Sequence, residues 1–128
     1  MSSSAPGCGR LIRSRGQTPV CPPKHALTDA WALVTNRSVG ARHIELYAVE
    51  IHPGGEGFDD AHPGCEHGFF VLAGEGEARV GGERFALQPE DCLFIPDGAS
   101  HSVRPSGDGS LRLLVFMAPH RNVAAAKE

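Results

Sequence analysis

The chain is poor in aromatic residues, with one tryptophan, one tyrosine and six phenylalanines in 128 residues. It has no long hydrophobic run, and the longest apolar stretches fall well short of the ~18 residues a membrane span needs. Basic residues are not in excess: 12 lysines and arginines stand against 15 aspartates and glutamates, a net charge of −3. A phosphate backbone therefore meets no positive field, so no nucleic-acid partner and no membrane partner is expected. The four cysteines, at 8, 21, 65 and 92, form no CxxC pair and no zinc-knuckle spacing, which points to free thiols in a reducing cytoplasm. Arginines near the N-terminus are followed by no apolar stretch, so a secretory signal is not expected and the expected location is cytoplasmic.

Turn formers are abundant. Sixteen glycines and ten prolines, about a fifth of the chain, disfavour a helical bundle and favour many short elements. Residues 1–20, rich in Ser, Gly, Pro and Arg, read as an arm, either poorly ordered or packed on a neighbour's edge strand. Residues 21–119 read as the folded domain and 120–128 as a short tail. The first clear strand is predicted over 43–51, where His43, Glu45, Tyr47, Val49 and Ile51 face one way and Ile44, Leu46, Ala48 and Glu50 the other. Pro53-Gly54-Gly55 is expected to stop it, with 54–60 a glycine-rich link. Further strands are expected over 68–72, 77–80, 83–87, 92–95, 100–104 and 111–117, with Gly81-Gly82 a hairpin turn. No convincing helix is visible, so a small all-β barrel or jelly roll is the natural architecture.

Seven histidines are about twice ordinary usage. Asp60 and His62 share a face in an extended segment, His67 opens a strand, and His101 begins another after a Pro-Asp-Gly turn. One carboxylate and three imidazoles suit a divalent transition metal with coordination positions left open. Parity suggests Tyr47, Phe69 and Phe94 as cavity lining, Arg42, Arg104 or Arg112 as clamps for a substrate carboxylate, and Cys92 as a small buried hydrophobe.

Two stretches resemble the paired motifs of the cupin superfamily. The first runs from Gly54-Gly55 through Asp60, His62, Glu66 and His67 to Gly74; the second is Pro96-Asp97-Gly98-Ala99-Ser100-His101. The resemblance implies a single-domain cupin, a double-stranded β-helix or jelly-roll barrel, with a mononuclear metal on Asp60, His62, His67 and His101. Manganese is expected ahead of iron, zinc and nickel. An alternative register uses His62, Glu66 and His101; His67 is preferred because Phe69 and Val71 must face the barrel with it. Locally, Glu66-His67-Gly68 through Gly74 and Gly76 is similar to the C-terminal cupin of (S)-ureidoglycine aminohydrolases, although this chain is half their length and carries His101 where they have glutamine. The implied function is a small metalloenzyme acting on a small polar or acidic molecule by hydrolase, isomerase, lyase or dioxygenase chemistry. Asp60 would then serve as ligand or general base and Tyr47 as a catalytic group. The alternative is a small-molecule-binding or sensing cupin without turnover. A homodimer is the expected assembly, since an all-β domain gains from covering an edge.

Overall fold

The computed structural model describes residues 7–119, with residues 59 and 60 described by their backbone alone. The expected C-terminal tail, 120–128, lies outside the described residues. Eight strands follow one another: β1 (His25–Val34), β2 (Glu45–Asp60), β3 (Glu66–Ala73), β4 (Gly76–Val80), β5 (Glu83–Leu87), β6 (Cys92–Ile95), β7 (His101–Pro105) and β8 (Leu111–Ala118). A single helical turn, α1 (Asn36–Val39), sits between β1 and β2. It is capped by Thr35 and closed by Gly40 in the left-handed conformation. No helix among the described residues is long and apolar enough to cross a membrane.

Every strand pair is antiparallel, in the order β5-β4-β7-β2-β8-β3-β6 with β1 added to β2. The curled sheet closes around Ile51, Val71, Ile95, Leu111 and Leu113, each at most 1% exposed. Burying side chains of this kind is the main stabilising term, ~1.5–3 kcal/mol each. The inward parity expected for 43–51 is observed from Glu45 onward: Glu45, Val49 and Ile51 are buried and Tyr47 half-buried, whereas His43 is exposed.

Two elements differ from expectation. β2 does not stop at Pro53 but runs on to Asp60. Its second half keeps its pairing because glycine lets backbones meet: a Cβ on Gly55 would lie 2.5 Å from the Ala26 carbonyl oxygen, and one on Gly57 would lie 2.9 Å from His25 Nε2. β1, not foreseen, pairs along β2 with register shifts at Ala26/Thr28 and Ala32/Val34. Leu27 there has φ +49° and is 60% exposed, which breaks the alternation that would reveal a strand. The N-terminal arm meets its own chain, with Val20 and Ala30 exchanging backbone hydrogen bonds of 3.1 and 2.9 Å.

On the outer face His52 Nε2 donates to Asp29 Oδ2 at 2.9 Å, tying β2 to β1. This bond, aided by the nearby Glu50 carboxylate and opposed by desolvation, raises the His52 pKa above its ordinary 6.5. A raised folded-state pKa contributes stability that is full below 6.5 and is lost as pH rises through the folded value. Thermal melting followed between about pH 5.5 and 8.5 should therefore show a decline that Asp29→Asn flattens, and an unchanged slope in that variant would refute the link.

Candidate metal centre

Two tight turns deliver two of the histidines. His62-Pro63-Gly64-Cys65 closes with Cys65 N–H donating to the His62 carbonyl at 3.1 Å, and Gly64 sits at φ +86°. Pro96-Asp97-Gly98-Ala99 closes in the same way, with Ala99 N–H on the Pro96 carbonyl at 3.1 Å and Gly98 at φ +75°. A positive φ at the third position is the type II requirement that glycine meets. The turns are tied together: Gly64 N–H donates to Asp97 Oδ1 at 2.6 Å. A Pro-Asp-Gly sequence signals a turn, but this tie could not be read from it, because Gly64 lies 33 residues away in sequence.

His67 comes from β3, directly opposite Ile95 of β6 and Met117 of β8. The three rings gather at one end of the barrel. Ring centroids are 4.9 Å apart for His62 and His67, 5.3 Å for His62 and His101, and 4.5 Å for His67 and His101, all edge-on or tilted. One nitrogen from each ring lies within 4.8 Å of the other two. His67 and His101 are buried at 3% and 8% exposure, and Phe69 packs against both rings.

The hydrogen bonding of His101 leaves its second nitrogen aimed at the cluster. His101 Nδ1 lies 3.2 Å from the Ala99 carbonyl oxygen, which can only accept, so the proton is on Nδ1. Its Nε2 stands within hydrogen-bond distance of His67 Nε2, at 3.1 Å, and a neutral His101 would offer a lone pair there. Two nitrogens bound to one ion at ~2.0–2.1 Å and near a right angle also stand ~3 Å apart. The donor set therefore fits a divalent transition ion.

The remaining sequence candidates divide. Glu66 is exposed at the start of β3, so the cluster holds His67 and not Glu66. The Asp60 backbone is directly opposite His101, and its side chain lies outside the described residues. Tyr47 faces inward and its hydroxyl donates to Glu45 Oε1 at 2.6 Å. Phe94 is 54% exposed, opposite Gly68 on the outer parity of the sheet, and lines an open groove that also reaches His67 and Glu45. Cys92 is exposed on that same strand parity, not buried. Arg104 pairs with Glu77 at 3.1 Å and Arg112 approaches Glu50 at 3.9 Å, while Arg42 is exposed. Arg104 lines a polar cleft with Glu77, Arg79 and Arg84 that holds none of the three histidines.

An open cavity of about 260 Å³ lies between the N-terminal arm at Val20 and the inner face of the sheet at Tyr47, Val49, Val115 and Met117. Met117 is the direct β8 neighbour of His67, so this cavity adjoins the row that carries the cluster.

A Cupin domain model matches residues 47–117, a span that contains all three histidines. The chain belongs to the cupin family. This cupin is 30% identical over 69% of its length to "Tetracenomycin polyketide synthase protein TcmJ" of Streptomyces glaucescens, and 30% identical over 71% to "Polyketide synthase CurC" of Streptomyces cyaneus. In each case the match covers 59% of the relative, so the aligned region spans under two thirds of those proteins. Among solved structures it is similar to the polyketide cyclase RemF from Streptomyces resistomycificus, at TM-score 0.73 and 23% identity over 88% of this chain and 80% of that one. That likeness shows the shared cupin fold.

Proposed function

We propose that this cupin is a mononuclear metal enzyme that acts on a carbonyl compound, with His62, His67 and His101 as protein ligands and ring closure of a polycarbonyl chain as the reaction class. The observation that supports the reading is the pair of imidazole nitrogens 3.1 Å apart, with the other nitrogen of His101 engaged by the Ala99 carbonyl. A divalent ion held there supplies Lewis-acid polarisation of a carbonyl oxygen. Three imidazole ligands would leave coordination positions open for substrate or water. Asp60 stands as a proposed fourth ligand or base on its strand position opposite His101.

The substrate side comes from the cavity. Its lining is mainly aliphatic, with the Tyr47 phenol as the polar exception, and it holds no arginine. Such a surface suits a flat, poorly charged carbonyl compound better than a small acid. The polyketide proteins among the relatives support the same choice. The test is elemental analysis of protein purified without added metal. About one equivalent of manganese, iron, nickel or zinc per chain is expected; a protein that is empty and refuses all four overturns the metal reading and favours a binding module.

For the assembly we propose a homodimer through the outer face of β2, β8, β3 and β6. Leu46, Phe116 and Phe94 line one row of that face, and Ala48, Leu114 and Phe70 the next. Apolar rows of this kind mark an interaction surface. Sedimentation should give a dimer that Phe94→Glu converts to monomer; a monomeric wild type would refute it.

A further inference from the structure

Glu45 is the most deeply buried carboxylate among the described side chains, at 3% exposure. In its transverse row across the inner face, Glu45 is opposite Met117, Met117 is opposite His67, and His67 is opposite Ile95. Methionine and isoleucine show what packing alone would select there. An ionised carboxylate in such a place costs several kcal/mol unless paired and hydrogen-bonded. One partner is the Tyr47 phenol, which donates to Glu45 Oε1 at 2.6 Å, a short bond of the charge-assisted kind. Tyr47 also lines the open cavity beside the N-terminal arm. Glu45 and His67 stand on the same face with one strand between them, so their Cα atoms are ~10 Å apart, within reach of two long side chains and a small substrate.

From this juxtaposition of a buried carboxylate, a phenol opening on the cavity and the three-histidine cluster, we propose that Tyr47 and Glu45 form a proton relay for carbon-acid chemistry. The proposal rests on the carbonyl reading above. Tyr47 Oη takes a proton from a carbon flanked by carbonyls while its own hydroxyl proton passes to Glu45 Oε1. The C–H bond breaks, and its electron pair becomes the enolate. When the enolate carbon bonds to a second carbonyl carbon, that oxygen takes the proton from Tyr47, and Glu45 returns its proton to the phenol. Atoms and charge balance, and no oxidant or reductant is needed. Tyr47 touches substrate; Glu45 acts through it as the positioning and proton-storing residue.

The test uses zinc-loaded protein and 2,4-pentanedione, a simple 1,3-diketone, as the probe. Exchange of its central hydrogens in heavy water is followed by NMR above the buffer rate. Tyr47 is the single tyrosine of the chain, so near-ultraviolet difference absorption reads its hydrogen bond without any turnover. In the wild type, probe binding should perturb tyrosine absorption and exchange should exceed background. Glu45→Gln, which keeps an acceptor but is a far poorer proton store, should lose at least ~100-fold in exchange and most of the perturbation, with zinc content unchanged. Glu45→Asp should recover part of the rate. Tyr47→Phe should lose the rate as well, and it carries the test if Glu45→Gln fails to fold by circular dichroism. Wild-type exchange in either Glu45→Gln or Tyr47→Phe overturns the relay, as does a loaded wild type with neither exchange nor perturbation. A protein that takes up no zinc yet shows Glu45-dependent exchange refutes the metal reading and leaves the relay standing.

Discussion

Replacing His101 by alanine is expected to reduce bound metal from about one equivalent per chain to under about a tenth, in a barrel that still folds. Removing His101 removes a ring that is oriented by its Nδ1–H bond to the Ala99 carbonyl. It also removes one of the two nitrogens that stand 3.1 Å apart. The ligands that remain, two imidazoles and the proposed Asp60 carboxylate, are expected to bind a transition ion more weakly and to lose it on dilution during purification. Because a ligand that binds only the folded state stabilises it by mass action, the variant should also lose the rise in melting temperature that added zinc gives the wild type. His67→Ala should behave alike, whereas Glu66→Ala should keep its metal, since Glu66 is exposed and outside the cluster. Full metal in His101→Ala, or loss in Glu66→Ala, would reverse the ligand assignment.

The second large effect concerns Gly74, which closes the stretch between the two strands of the first motif. Its φ is +85°, and a Cβ there would lie 2.0 Å from the Ser110 carbonyl oxygen, a backbone atom that cannot swing aside. Gly74→Ala therefore combines a left-handed alanine, ~1–2 kcal/mol, with a forced shift of the β8 approach. We expect a total loss of about 3 kcal/mol or more and a fall in Tm of about 10 °C. Gly81→Ala is the control. Gly81 also has a positive φ, +59°, but nothing lies within 4 Å of its would-be Cβ, so only the backbone cost of ~1 kcal/mol should appear. Equal melting of the two variants would show that the Ser110 contact is unimportant.

Much of the barrel was legible because its signals are local. β5 and β6 fall on the expected residues, and β4, β7 and β8 differ by a residue at their ends, since Gly81-Gly82 and the Pro-Asp-Gly and Pro-Glu-Asp turns bracket them. β1 was hidden because a bulge and a positive φ at Leu27 interrupt its alternation. The second half of β2 was hidden because Pro-Gly-Gly ordinarily ends a strand, whereas here the missing Cβ atoms let the neighbouring backbone in.

The candidate site divides in the same way. Alternation along single strands by itself determined that Glu45 and Tyr47 share a face, that His67 and Phe69 share another, and that His62 and His101 follow turns. Only the tertiary structure decided which faces meet. The antiparallel register set Glu45, Met117 and His67 in one row and turned Phe94 outward opposite Gly68. Closure of the sheet brought residues 62, 67 and 101 to within 4.8 Å, and the Asp97–Gly64 bond tied two turns that no local pattern connects. Side-chain parity is a property of one strand, but a metal centre or a proton relay depends on register between strands, which is settled by the packing of the whole core.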